Sequence, residues 1–307
     1  MNPLQQNARR FIYRHARALD VARYQYHFEQ GSKDAVMLAL SAYQNEDGGF
    51  GHALEQDSWN PHSWPIPTCT AVSIIREIGW EDREHPVIQG LIRYLTSGAD
   101  FDGRVWACMV KTNNDYPHAP WWEMGSESTC HQDYNPGAGL AGFLIRFCEK
   151  GSAAYALGKR IAEEAYQAYM GKDLLEDMHE STLYLQLMED ARIACFESDI
   201  FDADQLEEKL RRQVSHLITK DKEAWKKWYI CRPSQFFNQK DTVWYRDNQE
   251  WADFECDFIR KSQEEDGGWA IHWSWQDYPE AWAISKNWWR GTVAVNYLLY
   301  LKGMGEE

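Results

Sequence analysis

Gln44-Asn45-Glu46-Asp47-Gly48-Gly49-Phe50 returns far along the chain as Gln263-Glu264-Glu265-Asp266-Gly267-Gly268-Trp269. Each copy follows a helical pattern and precedes a long aromatic-rich loop, then an apolar helix that opens on threonine and stops near glycine. The paired glycines permit positive φ past a helix end, the aspartate can cap neighbouring backbone N–H groups, and the aromatic residue plugs the space between repeats. Asp102-Gly103-Arg104-Val105-Trp106 is a degenerate third copy. Asp266 lies about four times as far from Asp47 as Asp102 does, as a regular repeat requires. A repeat unit cannot bury its apolar face alone, so neighbours must stack. Helix pairs stacked around an axis close into an α/α toroid.

The rest of the chain supports an all-α reading. After Pro86, Ile88, Leu91, Ile92 and Leu95 fall at helical spacing. Further helices are expected at Thr70–Ile78, Gly137–Phe147, Ser152–Met170, Leu174–Phe196 and Thr292–Lys302, with Ser32, Asp202 and Asn248 as N-caps. No alternating strand pattern is found. The helices are joined by four long loops, Gly48–Pro67, Ala99–Asn135, Ile218–Arg246 and Gly267–Asn287, and connections of such length are usually functional. No low-complexity linker interrupts the chain, so residues 1–307 read as one domain.

Composition narrows the function classes. The 307 residues carry 32 Lys plus Arg against 47 Asp plus Glu, and a net charge of −15 argues against a nucleic-acid surface. No apolar run is long enough for a transmembrane segment, and Met1–Arg10 is not followed by the apolar region of a secretory signal. The seven cysteines are an odd number, widely spaced and without a Cys-x-x-Cys, which fits a reduced, cytoplasmic setting. The 16 Trp, 16 Tyr and 12 Phe stand out in a chain whose mean hydropathy is −0.64. They crowd the long loops, which in a toroid gather on one face around the mouth of a central cavity.

The two Gln-x-Glu-Asp-Gly-Gly-aromatic copies resemble the Gln-Trp repeats of the squalene cyclase and protein prenyltransferase β-subunit superfamily. The chain is similar, from about Ser32 to Gly303, to lone-toroid bacterial proteins described as prenyltransferase-like. The resemblance implies a single α/α toroid of about six helix pairs, terpenoid cyclase-like, and chemistry on an isoprenoid. The Asp-x-Asp-Asp acid motif of the cyclases does not occur; Asp202-Ala203-Asp204-Gln205 reads as a helix cap. The zinc-ligand pattern of the prenyltransferases has no counterpart either. Site residues are therefore sought in this chain's own loops.

Four loop segments hold the candidates. In Gly51–Pro67, Glu55 and Asp57 stand two residues apart beside His52, His62 and Trp64. An extended backbone would turn both carboxylates to one side, where they shift each other's proton affinity for acid–base work. In Asn113–Trp122, Asp115 and His118 flank a proline turn before the Trp121–Trp122 pair. In Ser128–Pro136, Cys130, His131 and Asp133 lack a fourth zinc ligand, so a His131–Asp133 pairing is preferred and no metal is assigned. In His272–Trp289, Asp277 lies among Trp273, Trp275 and Trp288, with Lys286 as a point charge for an anionic group. The alternative for each is a solvated turn or a filled core.

Three readings follow. The first is a terpenoid cyclase- or prenyltransferase-like enzyme, with Asp57, Asp115 or Asp133 as the proton donor and a tryptophan-lined cavity that stabilises a carbocation. The second is a carbohydrate-active hydrolase or lyase using paired carboxylates and tryptophan platforms. The third is a non-catalytic toroid that binds a ligand or partner. The expected partner is a small molecule, isoprenoid or carbohydrate, and the sequence requires no cofactor.

Overall fold

A computed structural model describes residues 2–125 and 133–306. They form eleven α-helices: α1 (Pro3–His15), α2 (Ala18–Phe28), α3 (Lys33–Ser41), α4 (Pro65–Glu77), α5 (Pro86–Thr96), α6 (Gly137–Phe147), α7 (Ala153–Met170), α8 (Met178–Ile193), α9 (Ala203–Leu217), α10 (Val243–Lys261) and α11 (Pro279–Gly303). The described residues contain isolated β-bridges but no strand, so the chain is all-α. None of the helices described is long and apolar enough to cross a membrane. The chain divides into two compact units, Met1–Ala39 with Val214–Glu307, and Leu40–Gln213.

The repeat motif folds the same way in both units. In the Leu40–Gln213 unit, Asn45 N donates to Gly49 O at 2.9 Å, Gly48 N to Asn45 O at 2.9 Å, and Gly49 N to Asp47 Oδ1 at 2.9 Å. In the other unit, Glu264 N reaches Gly268 O, Gly267 N reaches Glu264 O, and Gly268 N reaches Asp266 Oδ1, again at 2.9 Å each. Gly48 and Gly267 take φ of 95° and 96°, which a side chain disfavours.

Each turn also docks on the start of a proline-initiated helix. Gln44 Nε2 donates to Val87 O at 3.0 Å, and Gln263 Nε2 to Leu4 O at 3.0 Å. Val87 and Leu4 both directly follow the opening proline of their helices, α5 and α1. Three residues on, the backbones meet: a Cβ on Gly48 would stand 2.8 Å from Gly90 Cα, and one on Gly267 would stand 2.6 Å from the Asn7 carbonyl carbon. The motif aromatics Phe50 and Trp269 are fully buried. The third copy keeps the turn, with Asp102 Oδ1 accepting from Arg104 N and Val105 N. A Cβ on Gly103 would meet nothing within 4 Å, so that glycine makes no close approach.

Helices α1 and α2 lie ahead of the patterned region and complete the first unit. An Asn2–Gln5 capping box and Pro3 start α1. Asp20 is buried between Arg17 at 3.0 Å and Arg23 at 2.9 Å, and accepts from Thr292 Oγ1 of α11 at 3.2 Å. Arg290 of α11 locks the second motif, with both carboxylate oxygens of Asp266 at 2.8 Å and Trp269 O at 3.0 Å. Desolvation pushes the Asp266 carboxyl up, but the hydrogen bonds from Arg290 and Gly268 and the Arg290 charge hold it below the usual range.

The second unit centres on α6, which is buried along almost its whole length. Its glycines admit close neighbours: a Cβ on Gly142 would press Asp190 and Leu187 of α8, and one on Gly158 of α7 would lie 2.7 Å from Leu144 Cβ. Asp190 is buried and takes Arg76 Nε at 2.8 Å and Arg146 Nη1 at 3.3 Å. Arg76 also donates to Gln186 Oε1 at 2.9 Å and Gly139 O at 2.6 Å.

Several helix boundaries differ from expectation. Helix α4 begins at Pro65 rather than Thr70, because Pro65 and Pro67 both occupy its first turn, where no backbone donor is needed. Helix α11 begins at Pro279 rather than Thr292, so Trp282, Trp288 and Trp289 are helical. Asn248 does not cap a helix; it kinks α10 at φ −131°, with Nδ2 on Trp244 O, and Thr242 is the cap. Six cysteines among the described residues are free thiols, and burial pushes Cys69 and Cys148 up to about 11, and Cys231 and Cys256 up to about 12.

Candidate functional site

Two of the four loop segments meet in the Leu40–Gln213 unit. Backbone bonds pair residues 57–59 with 117–119: Trp59 N donates to Pro117 O at 2.8 Å and Ala119 N to Asp57 O at 2.8 Å. Two buried asparagines, Asn60 and Asn113, fasten the pairing from the side. Asn60 Nδ2 donates to Asn113 Oδ1 at 2.8 Å and Thr112 Oγ1 at 2.9 Å, and its own Oδ1 accepts from His62 N at 3.0 Å. Asn114 exchanges two bonds with the Met124 backbone, at 2.8 and 3.0 Å, which brackets the Trp121–Trp122 turn. Asn60 and Asn113 are the site residues that sequence reasoning passed over. Their type reads as turn chemistry, and only their burial reveals a fastening role.

The pairing gathers Asp57, His62, Trp64, His118, Trp121 and Trp122. Glu55–Ser58 forms a turn, closed by Ser58 N on Glu55 O at 3.1 Å. The expected extended arrangement of Glu55 and Asp57 is therefore corrected: Glu55 Oε1 accepts from the Asp57 N–H at 3.2 Å, so Glu55 caps its own turn. Asp57 is only 4% exposed. Trp122 N bonds to Ala119 O at 2.9 Å, so the backbone that receives Asp57 also carries the tryptophan pair. Trp64 and Trp122 meet edge to face at 5.0 Å, on a floor made with Ala107, Val110 and Ile66. The indole Nε1 of Trp122 is buried and, among the described residues, has no hydrogen-bond partner. Trp121 beside it is 45% exposed.

His118 is buried, with Nδ1 2.6 Å from Tyr116 O. A carbonyl accepts only, so Nδ1 carries a proton and is the donor in this contact. His62 is exposed, with Nε2 3.2 Å from Tyr116 Oη.

The remaining carboxylates stand apart in character. Asp115 is exposed at the end of a short 3-10 turn. Asp133 is exposed and paired with Lys172 at 3.0 Å; Lys172 also reaches the buried Glu180 at 3.4 Å. Burial raises the Glu180 carboxyl above its ordinary value, against the Lys172 charge. His131 and Cys130 lie outside the described residues. Among those described, no three His, Cys, Asp or Glu side chains are placed to hold a metal ion.

The fourth segment belongs to the other unit and forms its own cluster. Trp273 meets Tyr229 at 5.1 Å and Trp289 at 5.3 Å, both edge to face, and its Nε1 is buried without a partner among the described residues. Trp275 is buried against Trp282 at 5.5 Å. Trp288 is half-buried, while Asp277 and Lys286 are exposed. Comparisons with protein-family models, with curated proteins and with solved structures return no match to this chain.

Proposed function

We propose that the chain closes as a single α/α toroid and acts as a terpenoid cyclase- or prenyltransferase-like enzyme on an isoprenoid. The docking of the motif turns supports closure. The first motif seats on α5, which follows it, whereas the last seats on α1, the chain's first helix, in the same register.

The observation that carries the enzymatic reading is Asp57. It is a carboxyl group buried on a fastened turn, with an aromatic pair on the adjoining backbone. Protonated, it would transfer its proton to a substrate double bond, and the π-faces of nearby tryptophans stabilise the carbocation that forms. Release of a proton from a neighbouring carbon ends the reaction, and the His118 imidazole is a base suited to accept it.

A carbohydrate-active reading draws on a different observation. Trp121 is an exposed stacking face, and the orphaned Trp122 indole N–H suits a sugar hydroxyl.

A thermal-shift screen with isoprenyl diphosphates and isoprenoid alcohols in one panel, and oligosaccharides in the other, separates the readings. A ligand at about 100 times its Kd adds ~2.7 kcal/mol of stability. The expected result is a shift with isoprenoids, retained in Asp57→Asn while product formation from that isoprenoid is lost. A shift with sugars alone overturns the isoprenoid assignment. Unchanged turnover in Asp57→Asn removes Asp57 as the acid. A ligand bound but unconverted by the wild type leaves a binding protein.

A further inference from the structure

The segment Lys220-Asp-Lys-Glu-Ala-Trp-Lys-Lys-Trp-Tyr229 departs from the rest of this chain. It carries four lysines and two acids, a positive excess in a protein whose net charge is −15. It is held rigidly at its middle. Trp225 is fully buried, donates from Nε1 to Thr219 O at 2.8 Å, and packs on Phe254, Phe258 and the Arg232 guanidinium. Three residues on, the chain points its largest side chains outward: Trp228 is 65% exposed and Tyr229 46%. Leaving an indole this far in water forgoes ~1.5–3 kcal/mol of burial, an arrangement that marks a contact surface when it is contiguous.

The patch is contiguous. Tyr229 leads to Trp273 and then to Trp289 of α11, and the exposed Lys286 lies one helical turn before Trp289. Among the described residues Lys220 and Lys227 make no salt bridge; Lys226 pairs with Glu223 at 2.7 Å. The orphaned Trp273 indole N–H lies inside the same aromatic chain.

We propose that this face docks on an anionic lipid surface, with Trp228 and Tyr229 entering the headgroup layer. Exposed Trp and Tyr settle at that depth because one end of each ring is apolar and the other polar. Flanking lysines add attraction to anionic headgroups. The local positive charge is the complement such a surface needs, since the acidic remainder of the chain is repelled by it. The proposal does not depend on the isoprenoid reading and is tested without any substrate.

The test is co-sedimentation of the full chain with phosphatidylcholine vesicles, with and without phosphatidylglycerol, at low and high salt. Binding is expected only to the anionic vesicles, weakened by salt as surface electrostatics are. Lys226→Gln with Lys227→Gln is expected to reduce partitioning about thirtyfold. Trp228→Ser with Tyr229→Ser is expected to reduce it at least about tenfold. Both variants replace exposed side chains and should keep the wild-type circular dichroism, which is checked alongside. Binding that is absent, equal on neutral vesicles, or retained by both variants overturns the proposal. Displacement from the vesicles by a sulfated polysaccharide at matched charge, with no lipid preference, assigns the face to a polyanion and likewise overturns it.

Discussion

Gly267→Ala and Gly103→Ala separate the docking of the repeat turn from its backbone conformation. The two glycines have nearly the same φ, 96° and 98°. An alanine at either therefore carries the same left-handed penalty, about 1–2 kcal/mol. The surroundings differ. At Gly103 a Cβ meets nothing within 4 Å, whereas at Gly267 it stands 2.6 Å from the Asn7 carbonyl carbon, which is backbone and cannot rotate aside. Helix α1 must retreat from the turn. The retreat stretches the 3.0 Å bond from Gln263 to Leu4 O, about 1 kcal/mol, and loosens Phe11 against Gly268 and Arg290. Added packing loss of about 1–3 kcal/mol brings Gly267→Ala to roughly 3–6 kcal/mol. Urea unfolding compares the two variants at constant slope. Amide hydrogen exchange locates the effect: α1 amides such as those of Phe11 and Ile12 should lose protection in Gly267→Ala and keep it in Gly103→Ala. Equal losses in both variants, or unchanged α1 protection in Gly267→Ala, would refute the docking argument.

Other consequences are as direct. Asp190→Ala strands the buried guanidinium groups of Arg76 and Arg146 and should cost about 3–5 kcal/mol in chemical denaturation. Trp122→Phe should leave stability within about 1.5 kcal/mol, because the indole N–H has no partner to lose among the described residues, while weakening any ligand that uses it as a donor; calorimetry reads both. Glu255 is fully buried, accepts from Ser234 N at 2.9 Å and Ser234 Oγ at 2.6 Å, and is pushed by burial up to about 7, against those bonds and the Arg232 charge. Its folded value is raised above the unfolded ~4.3, so the folded chain binds the extra proton. The stabilisation is complete below about pH 4.3 and is lost as pH rises through about 7, on the order of 3 kcal/mol in all. Glu255→Gln should flatten that slope between pH 5 and 8; an equal slope in the variant would show that another group titrates.

Local chemistry was legible in the residues themselves. The two Asp-Gly-Gly turns, their φ, their aspartate caps and their buried aromatics all follow from a motif that occurs twice. So do the helical character of the chain and the caps at Ser32 and Asp202, because helix periodicity and capping act over a few residues. The aromatic loops end earlier than their residue types suggest, at Pro65 and Pro279 rather than near Thr70 and Thr292. Trp, Ser and Asn are indifferent helix formers, and what makes residues 279–291 helical is the seating of Arg290 on Asp266 and of Thr292 on Asp20, both distant in sequence.

The site divides in the same way. Loop content pointed to Asp57, His118, Trp64 and Trp122, but the turn that buries Asp57 and recruits Glu55 as its cap depends on a partner segment some sixty residues on. Asn60 and Asn113 gain their role only when each finds the other. Helix α1 is decided by tertiary structure most of all. Its sequence shows a capping box and an apolar face, but its place as the seat of the last repeat turn arises because Gln263 and Gly267 need a backbone to meet, and the first helix supplies it. Short-range rules determined which turns and helices form. Long-range satisfaction of buried donors and close backbone approaches decided which of them touch.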